Sequence, residues 1–222
     1  MLINYLLYPI LEIGLNSWIQ FNYYSHLPWL FPLYPFNNYK PMDRFYYIFN
    51  FFFLTFGMGY IFDNFTMADV SFFTNCWHFL ALLVLESGIV YYGHRYSHYN
   101  KFIYNYIHKV HHKYIEVKPF EGSCASPLDI VLFIGLILLL PFYIFPLSAG
   151  FYYLYTLVVI GTGILDHAGV EFKFLFYNSA SHFVHHKYPN KNYGFPLPYF
   201  DILHGTFIGY QNQKQNLNQK MN

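Results

Sequence analysis

VSFFTNCWHFLALLVLESGIVYYGHRYSH, residues 70–98, is the stretch on which the fold class turns. From Val70 to Tyr92 it holds one acid, Glu86, and no Lys or Arg. A helix of about 20 apolar residues, rising about 1.5 Å per residue, crosses a hydrocarbon core of about 30 Å. The run therefore reads as a membrane span that carries His94 and His98 to the surface just beyond its end. Three other stretches read the same way: Phe45 to Phe62, Leu128 to Leu147 and Ala149 to Leu165. Pro141 and Pro146 are expected to kink or end the third, and Ser148 leaves it in a tight hairpin with the fourth.

Composition agrees. Of 222 residues, 55% are apolar and 10% charged, against about 25% charged in an ordinary soluble domain. The net charge of +1 provides no electrostatic footprint for nucleic acid, so no such partner is expected. Cys76 and Cys124 form no C-x-x-C pair, which excludes a disulfide framework and a thiolate zinc site. Phe and Tyr are spread through every segment and read as apolar filler.

All 12 basic residues lie before the first span, between the second and third, or after the fourth. Lys and Arg near span ends stay on the cytoplasmic side or its equivalent. The expected fold is an all-α polytopic membrane protein, with four transmembrane helices and a histidine-rich helical cap on that side. Residues 1–44 form an N-terminal interfacial helix and a Pro-rich loop, 45–210 the membrane domain with its cap, and 211–222 a polar tail. The interfacial reading rests on Asn4, Glu12, Asn16 and Gln20, which fall on one helix face.

The cap holds the chemistry. His94 and His98 are one helical turn apart. His108-Lys109-Val110-His111-His112 recurs 74 residues later as His182-Phe183-Val184-His185-His186, and His167 follows the fourth span. Residues at i, i+3 and i+4 share a helix face, so each triplet is expected to present three imidazoles to one point. Neutral imidazole suits iron, zinc, copper or nickel, and one ion takes about four to six ligands, so nine histidines point to two ions. No Glu-x-x-His pattern of the ferritin-like carboxylate plan occurs, which leaves an all-nitrogen site. His78, deep in the second span, is read as bonded to a neighbouring helix and not as a ligand. His26 is read as an exposed loop residue, and His204 as intermediate.

At these residues the chain resembles the fatty acid hydroxylase superfamily, the membrane group of sterol desaturases, C-4 methylsterol oxidases and sphingolipid hydroxylases. His94 to His98 is similar to its H-x3-H box, and His108, His111 and His112 to its first H-x-x-H-H box. His167 in Leu165-Asp166-His167-Ala168-Gly169 and the box at His182, His185 and His186 match its later histidines. Asn192-Tyr193-Gly194 and Asp201 to Thr206 resemble its closing segments. Departures are Ser126-Pro127-Leu128-Asp129 where relatives carry H-P-x-E, His204 where they carry Phe, and Glu171 where some carry another histidine.

The resemblance implies two iron ions held by His94, His98, His108, His111, His112, His167, His182, His185 and His186, with zinc able to take their place in a purified protein. No catalytic residue beyond these ligands is implied. Asp166, Glu171 and Asp201 are candidate acceptors for the outer imidazole N–H groups, with capping or surface solvation as the other reading for each, and His204 is a further candidate near the site. The implied activity is O2-dependent hydroxylation or desaturation of a sterol, fatty acyl or sphingolipid substrate. No G-x-G-x-x-G fingerprint is present, so electrons come from a partner such as cytochrome b5 or a reductase. The family implies the endoplasmic reticulum, with a mitochondrial membrane as the alternative. The competing reading is a non-catalytic subunit of a membrane complex, in which the polar tail and Pro-rich loop contact other subunits.

Overall fold

The structure, a computed structural model, describes residues 2–24 and 40–209. The expectations placed on His26, the rest of the Pro-rich loop up to residue 39 and the tail from residue 211 lie outside the described residues.

Helices start where the sequence offers caps. Helix α3 (Pro41–Asn64) opens on proline, whose missing N–H is harmless in a first turn, and the Lys40 N–H donates to Asp43 at 2.8 Å. Helix α4 (Phe72–Tyr99) opens at Ser71, whose Oγ accepts the Thr74 N–H at 3.1 Å. Its 28 residues extend about 42 Å, beyond a hydrocarbon core of about 30 Å, and the surplus turns carry His94 and His98. Helix α8 (Ala149–Asp166) ends one residue before His167. These three helices are long and apolar enough to cross a membrane.

The third expected span differs. It is a shorter apolar run, α6 (Pro127–Ile130), a π-helical turn (Val131–Gly135) and α7 (Leu136–Tyr143). The helix stops soon after Pro141, and residues 144–148 make the link to α8. That link is tied to α4: the Pro146 carbonyl lies 2.7 Å from His78 Nδ1, and the Ser148 N–H donates to Asn75 Oδ1 at 2.9 Å. His78 thus bonds to the α7–α8 connection, as a structural residue should.

The N-terminal rod, α1 (Leu2–Pro9), a π-helical turn (Ile10–Leu15) and α2 (Asn16–Tyr23), corrects one expectation. The polar stripe does occupy one face. That face turns inward, whereas an interfacial helix turns it to water: Glu12, Asn16 and Gln20 are 1%, 3% and 2% exposed, while Ile10, Trp18 and Phe21 point out. The reason is that the interior supplies partners. Asn16 Oδ1 accepts the Phe120 N–H at 2.9 Å, Glu12 Oε1 accepts from Ser123 Oγ at 2.8 Å, and the Tyr24 hydroxyl donates to the Ala168 carbonyl at 3.0 Å, while at the exposed end Asn4 donates to Asp63 at 2.8 Å. The rod therefore runs beside α3 from its Asp63 end to the cap.

The cap comprises α5 (Lys101–Tyr106), two 3-10 turns (His108–Lys113 and Glu121–Ser123), a two-residue hairpin, α9 (Ala180–Lys187) and α10 (Tyr199–Leu203). The hairpin pairs β1 (Lys173–Phe174) with β2 (Tyr177–Asn178), a small departure from an all-α chain. Tyr152, Tyr155, Ile137, Leu138, Leu82 and Val90 fill the core between the long helices.

Candidate metal centre

All nine expected histidines converge, buried or half-buried, in two adjoining groups. His94, His98, His108, His112 and His185 form one; His111, His167, His182 and His186 form the other. Within each group the ligand nitrogens lie within 4.8 Å of one another. This corrects the expectation that each H-x-x-H-H box addresses one point. Each box is divided, its first and last histidines entering one group and its middle histidine the other. On α9 the cause is helical geometry: i+3 and i+4 lie about 60° to one side and about 40° to the other side of position i.

The outer nitrogens fix the rings. His94 Nδ1–H donates to the Tyr193 carbonyl at 2.8 Å, His185 Nδ1–H to the Lys191 carbonyl at 2.6 Å, and His167 Nδ1–H to the Gly163 carbonyl at 2.7 Å. His108 Nδ1–H donates to Asp129, whose carboxylate oxygens lie 3.0 and 3.1 Å away. A proton on Nδ1 leaves a lone pair on Nε2, so these four rings aim lone pairs at the centre.

The inner nitrogens then face a shortage of protons. In the larger group the Nε2 atoms of His98, His185, His112 and His108 form a closed ring, with successive separations of 3.0, 3.1, 3.0 and 3.2 Å. His98 and His112 can each contribute one proton at Nε2, so at most two of the four contacts are hydrogen bonds. The others press lone pair against lone pair. His94 Nε2 is buried beside them without a partner. In the smaller group, His167 Nε2 lies 3.2 Å from His111 Nε2 and 3.1 Å from His182 Nε2. A cation resolves both problems. The centre of a square with 3.1 Å edges lies about 2.2 Å from each corner, close to the metal–imidazole distance of about 2.0–2.1 Å known for zinc. The donor set fits a borderline transition ion.

Protonation follows the same logic. Burial, reinforced by neighbouring imidazoles, holds His111, His112, His182, His185 and His186 well below the usual imidazole range. Burial pushes His167 down to about 4. These rings are neutral near pH 7, the form that coordinates metal.

The outer partners differ from those expected. Asp166 accepts the Tyr177 hydroxyl at 2.8 Å, and the exposed Glu171 pairs with Lys173 at 2.8 Å. His204, also exposed, lies 2.9 Å from the Tyr92 hydroxyl and stacks on Tyr91. Asp201 acts at one remove: it accepts the N–H groups of Tyr193 and Gly194 at 2.9 and 2.7 Å, holding the loop whose Tyr193 carbonyl orients His94. Asp129 is the residue the sequence reading missed as an imidazole partner. Ser126 Oγ caps its helix by accepting the Asp129 N–H at 3.2 Å, which aims the carboxylate at His108. The acid in the fourth place of Ser126-Pro127-Leu128-Asp129 was the available signal.

A cavity of about 90 Å³ adjoins the histidines. His94, His108, His111, His167 and His182 face it, and its other walls include Leu54, Ile130, Phe133, Ile134, Ile160 and Phe195. Gly122 lets the wall approach His167 closely, since a Cβ there would sit 2.7 Å from the ring Cγ.

Comparison with known proteins agrees with this geometry. Residues 79–206 match the fatty acid hydroxylase family. A Delta(7)-sterol 5(6)-desaturase of Gibberella zeae is 30% identical over 160 residues, covering 68% of this chain and 43% of that protein. A sphinganine C4-monooxygenase of Arabidopsis thaliana is 32% identical over 148 residues, 61% of this chain and 56% of that one. A very-long-chain aldehyde decarbonylase of Oryza sativa subsp. japonica is 33% identical over 143 residues, covering 59% of this chain and 54% of that protein. The chain thus spans about half the length of these relatives. No solved structure matches.

Proposed function

This chain belongs to the fatty acid hydroxylase family, and from that premise we propose that it is a membrane-bound di-iron lipid oxidoreductase. Its reaction is the O2-dependent hydroxylation or desaturation of a sterol, fatty acyl or sphingolipid substrate. The observation that carries the reading is the pair of buried imidazole groups beside an apolar cavity. The five-histidine group would hold one iron and the four-histidine group the other. Bound there, the two ions supply oxidation of an unactivated C–H bond by dioxygen.

The chain's own residues do the rest. The carbonyls of Gly163, Lys191 and Tyr193 and the carboxylate of Asp129 keep Nδ1 protonated and Nε2 free, which sets ring orientation and raises ligand basicity. The apolar walls exclude water and align a hydrocarbon segment with the inward-facing histidines. The α6–α7 run completes a four-helix membrane unit, with the cap on the cytoplasmic side where the basic residues gather. Electrons arrive from a cytochrome b5-type or reductase partner at that surface, in the endoplasmic reticulum or a mitochondrial membrane.

The test is a lipid profile of cells lacking the chain, restored with wild type or with His111→Ala. The expected result is loss of one oxidised sterol, fatty acyl or sphingolipid product that only wild type restores. An unchanged profile together with loss of a large membrane complex would replace this reading with the scaffold one.

A further inference from the structure

The cavity beside the histidines has a polar wall that the metal-based reading leaves unused. Glu12 lines it and is 1% exposed. Ser123 Oγ donates to Glu12 Oε1 at 2.8 Å, and the Tyr8 hydroxyl lies 3.4 Å from Ser123 Oγ. Among the described residues no basic side chain forms an ion pair with Glu12, and Glu12 belongs to neither histidine group. A buried carboxyl with one such bond keeps most of its hydrogen-bonding capacity open, at a desolvation cost that a ligand can offset. Asn16, one turn on, is fully engaged: it accepts the Phe120 N–H at 2.9 Å and donates to the Glu12 carbonyl at 2.8 Å, fixing the Ser123 segment against the rod.

The backbone marks the same place. Two π-helical turns occur among the described residues, Ile10–Leu15 carrying Glu12 and Val131–Gly135 carrying Phe133 and Ile134. All three side chains line this one cavity. A π turn inserts a residue and re-aims the side chains around it, which is why such turns gather at functional sites.

We propose that Glu12, supported by Ser123 and Tyr8, docks the hydroxyl group of a lipid whose adjoining apolar segment enters the cavity, so that a carbon near that hydroxyl is held beside the histidines. The proposal rests on the oxidoreductase reading and gives its substrate class: a hydroxylated lipid oxidised close to its polar end. A hydroxyl can donate to Glu12 and accept from Tyr8. An anionic headgroup, a phosphate included, would meet the acid at close range.

The test uses the full-length, iron-loaded protein in lipid nanodiscs, with bound probe and metal measured on the same preparation. The probes are cholestanol against cholestane, 1-octadecanol against octadecane, and octadecylamine. In at least one pair the alcohol should bind about tenfold more tightly than the hydrocarbon, the size of one hydrogen bond to a carboxyl group. Glu12→Leu should bring that ratio within about twofold of parity, and the milder Ser123→Ala should reduce it about threefold, both with unchanged metal content. Ile134→Trp, which fills the cavity, should abolish binding of both members. Equal binding within both pairs by wild type, a preference that survives Glu12→Leu, full binding by Ile134→Trp, or displacement of the alcohols by octadecylamine would each overturn the proposal. Hydroxyl preference in a chain that takes up no metal would overturn the oxidoreductase reading alone; metal without preference would overturn the docking site alone.

Discussion

The five-histidine and four-histidine groups draw on the same two H-x-x-H-H boxes, yet their outer nitrogens are held differently. In the larger group His94, His108 and His185 each donate Nδ1–H to a fixed acceptor, one of them the carboxylate of Asp129. In the smaller group His167 is tied to the Gly163 carbonyl, while His182 Nδ1 is buried without a partner. The boxes also differ in backbone, a 3-10 turn for the first and an α-helix for the second, and still divide in the same way. The difference teaches that ligand type comes from the motif, whereas ring orientation comes from backbone carbonyls and one acid that lie outside it, from four to 99 residues away. The larger group should be the better organised and the tighter.

The strongest way to break this comparison is to remove one histidine from each group on the same helix. His185→Ala and His182→Ala should each lose about one ion and lower turnover by at least about 100-fold, above the effect of losing an outer partner. Metal analysis with a lipid-product assay checks this, and loss of both ions in both variants would mean that the groups are not separable. Asp129→Asn comes next. It should weaken metal affinity about 10–100-fold in the larger group only, read by chelator titration. Gly122→Ala acts on the other side, because its Cβ would lie 2.7 Å from His167 Cγ. It should destabilise the fold by about 1–3 kcal/mol and loosen the smaller group alone.

The smallest effect is that of pH on the metal-free chain. Burial lowers His167 to about 4 in the folded state, while the unfolded chain titrates near its ordinary value of about 6.5. Between these values the unfolded state takes up a proton that the folded state refuses, so this contribution to stability is lost as pH falls from about 6.5 toward 4. The metal-free melting temperature should therefore be lower at pH 5 than at pH 7.5, with bound metal reducing the difference near neutrality. A melting temperature that rises on acidification would contradict the neutral, buried assignment.

Much of this was legible in the sequence because it rests on local patterns. Long apolar runs with at most one charge gave α3, α4 and α8, and the three histidine boxes with His167 after the fourth span marked the nine imidazoles that converge. The parts that were not legible depend on distant contacts. The N-terminal polar stripe has the same period whether it faces water or a buried Ser123 and Phe120, and only tertiary packing decides between them. Asp129 lies 21 residues from His108, and the carbonyls of Lys191 and Tyr193 carry no side-chain signature at all. The division of each box into two groups likewise required the second box to be in place.

Metal stoichiometry of the full-length protein tests the central claim most directly. Purified after iron supplementation, wild type should carry two ions per chain, His98→Ala should keep the ion of the four-histidine group, and His111→Ala should keep that of the five-histidine group. A wild-type content of zero or one, or a content of two in both variants, would contradict a two-ion centre built from these nine rings.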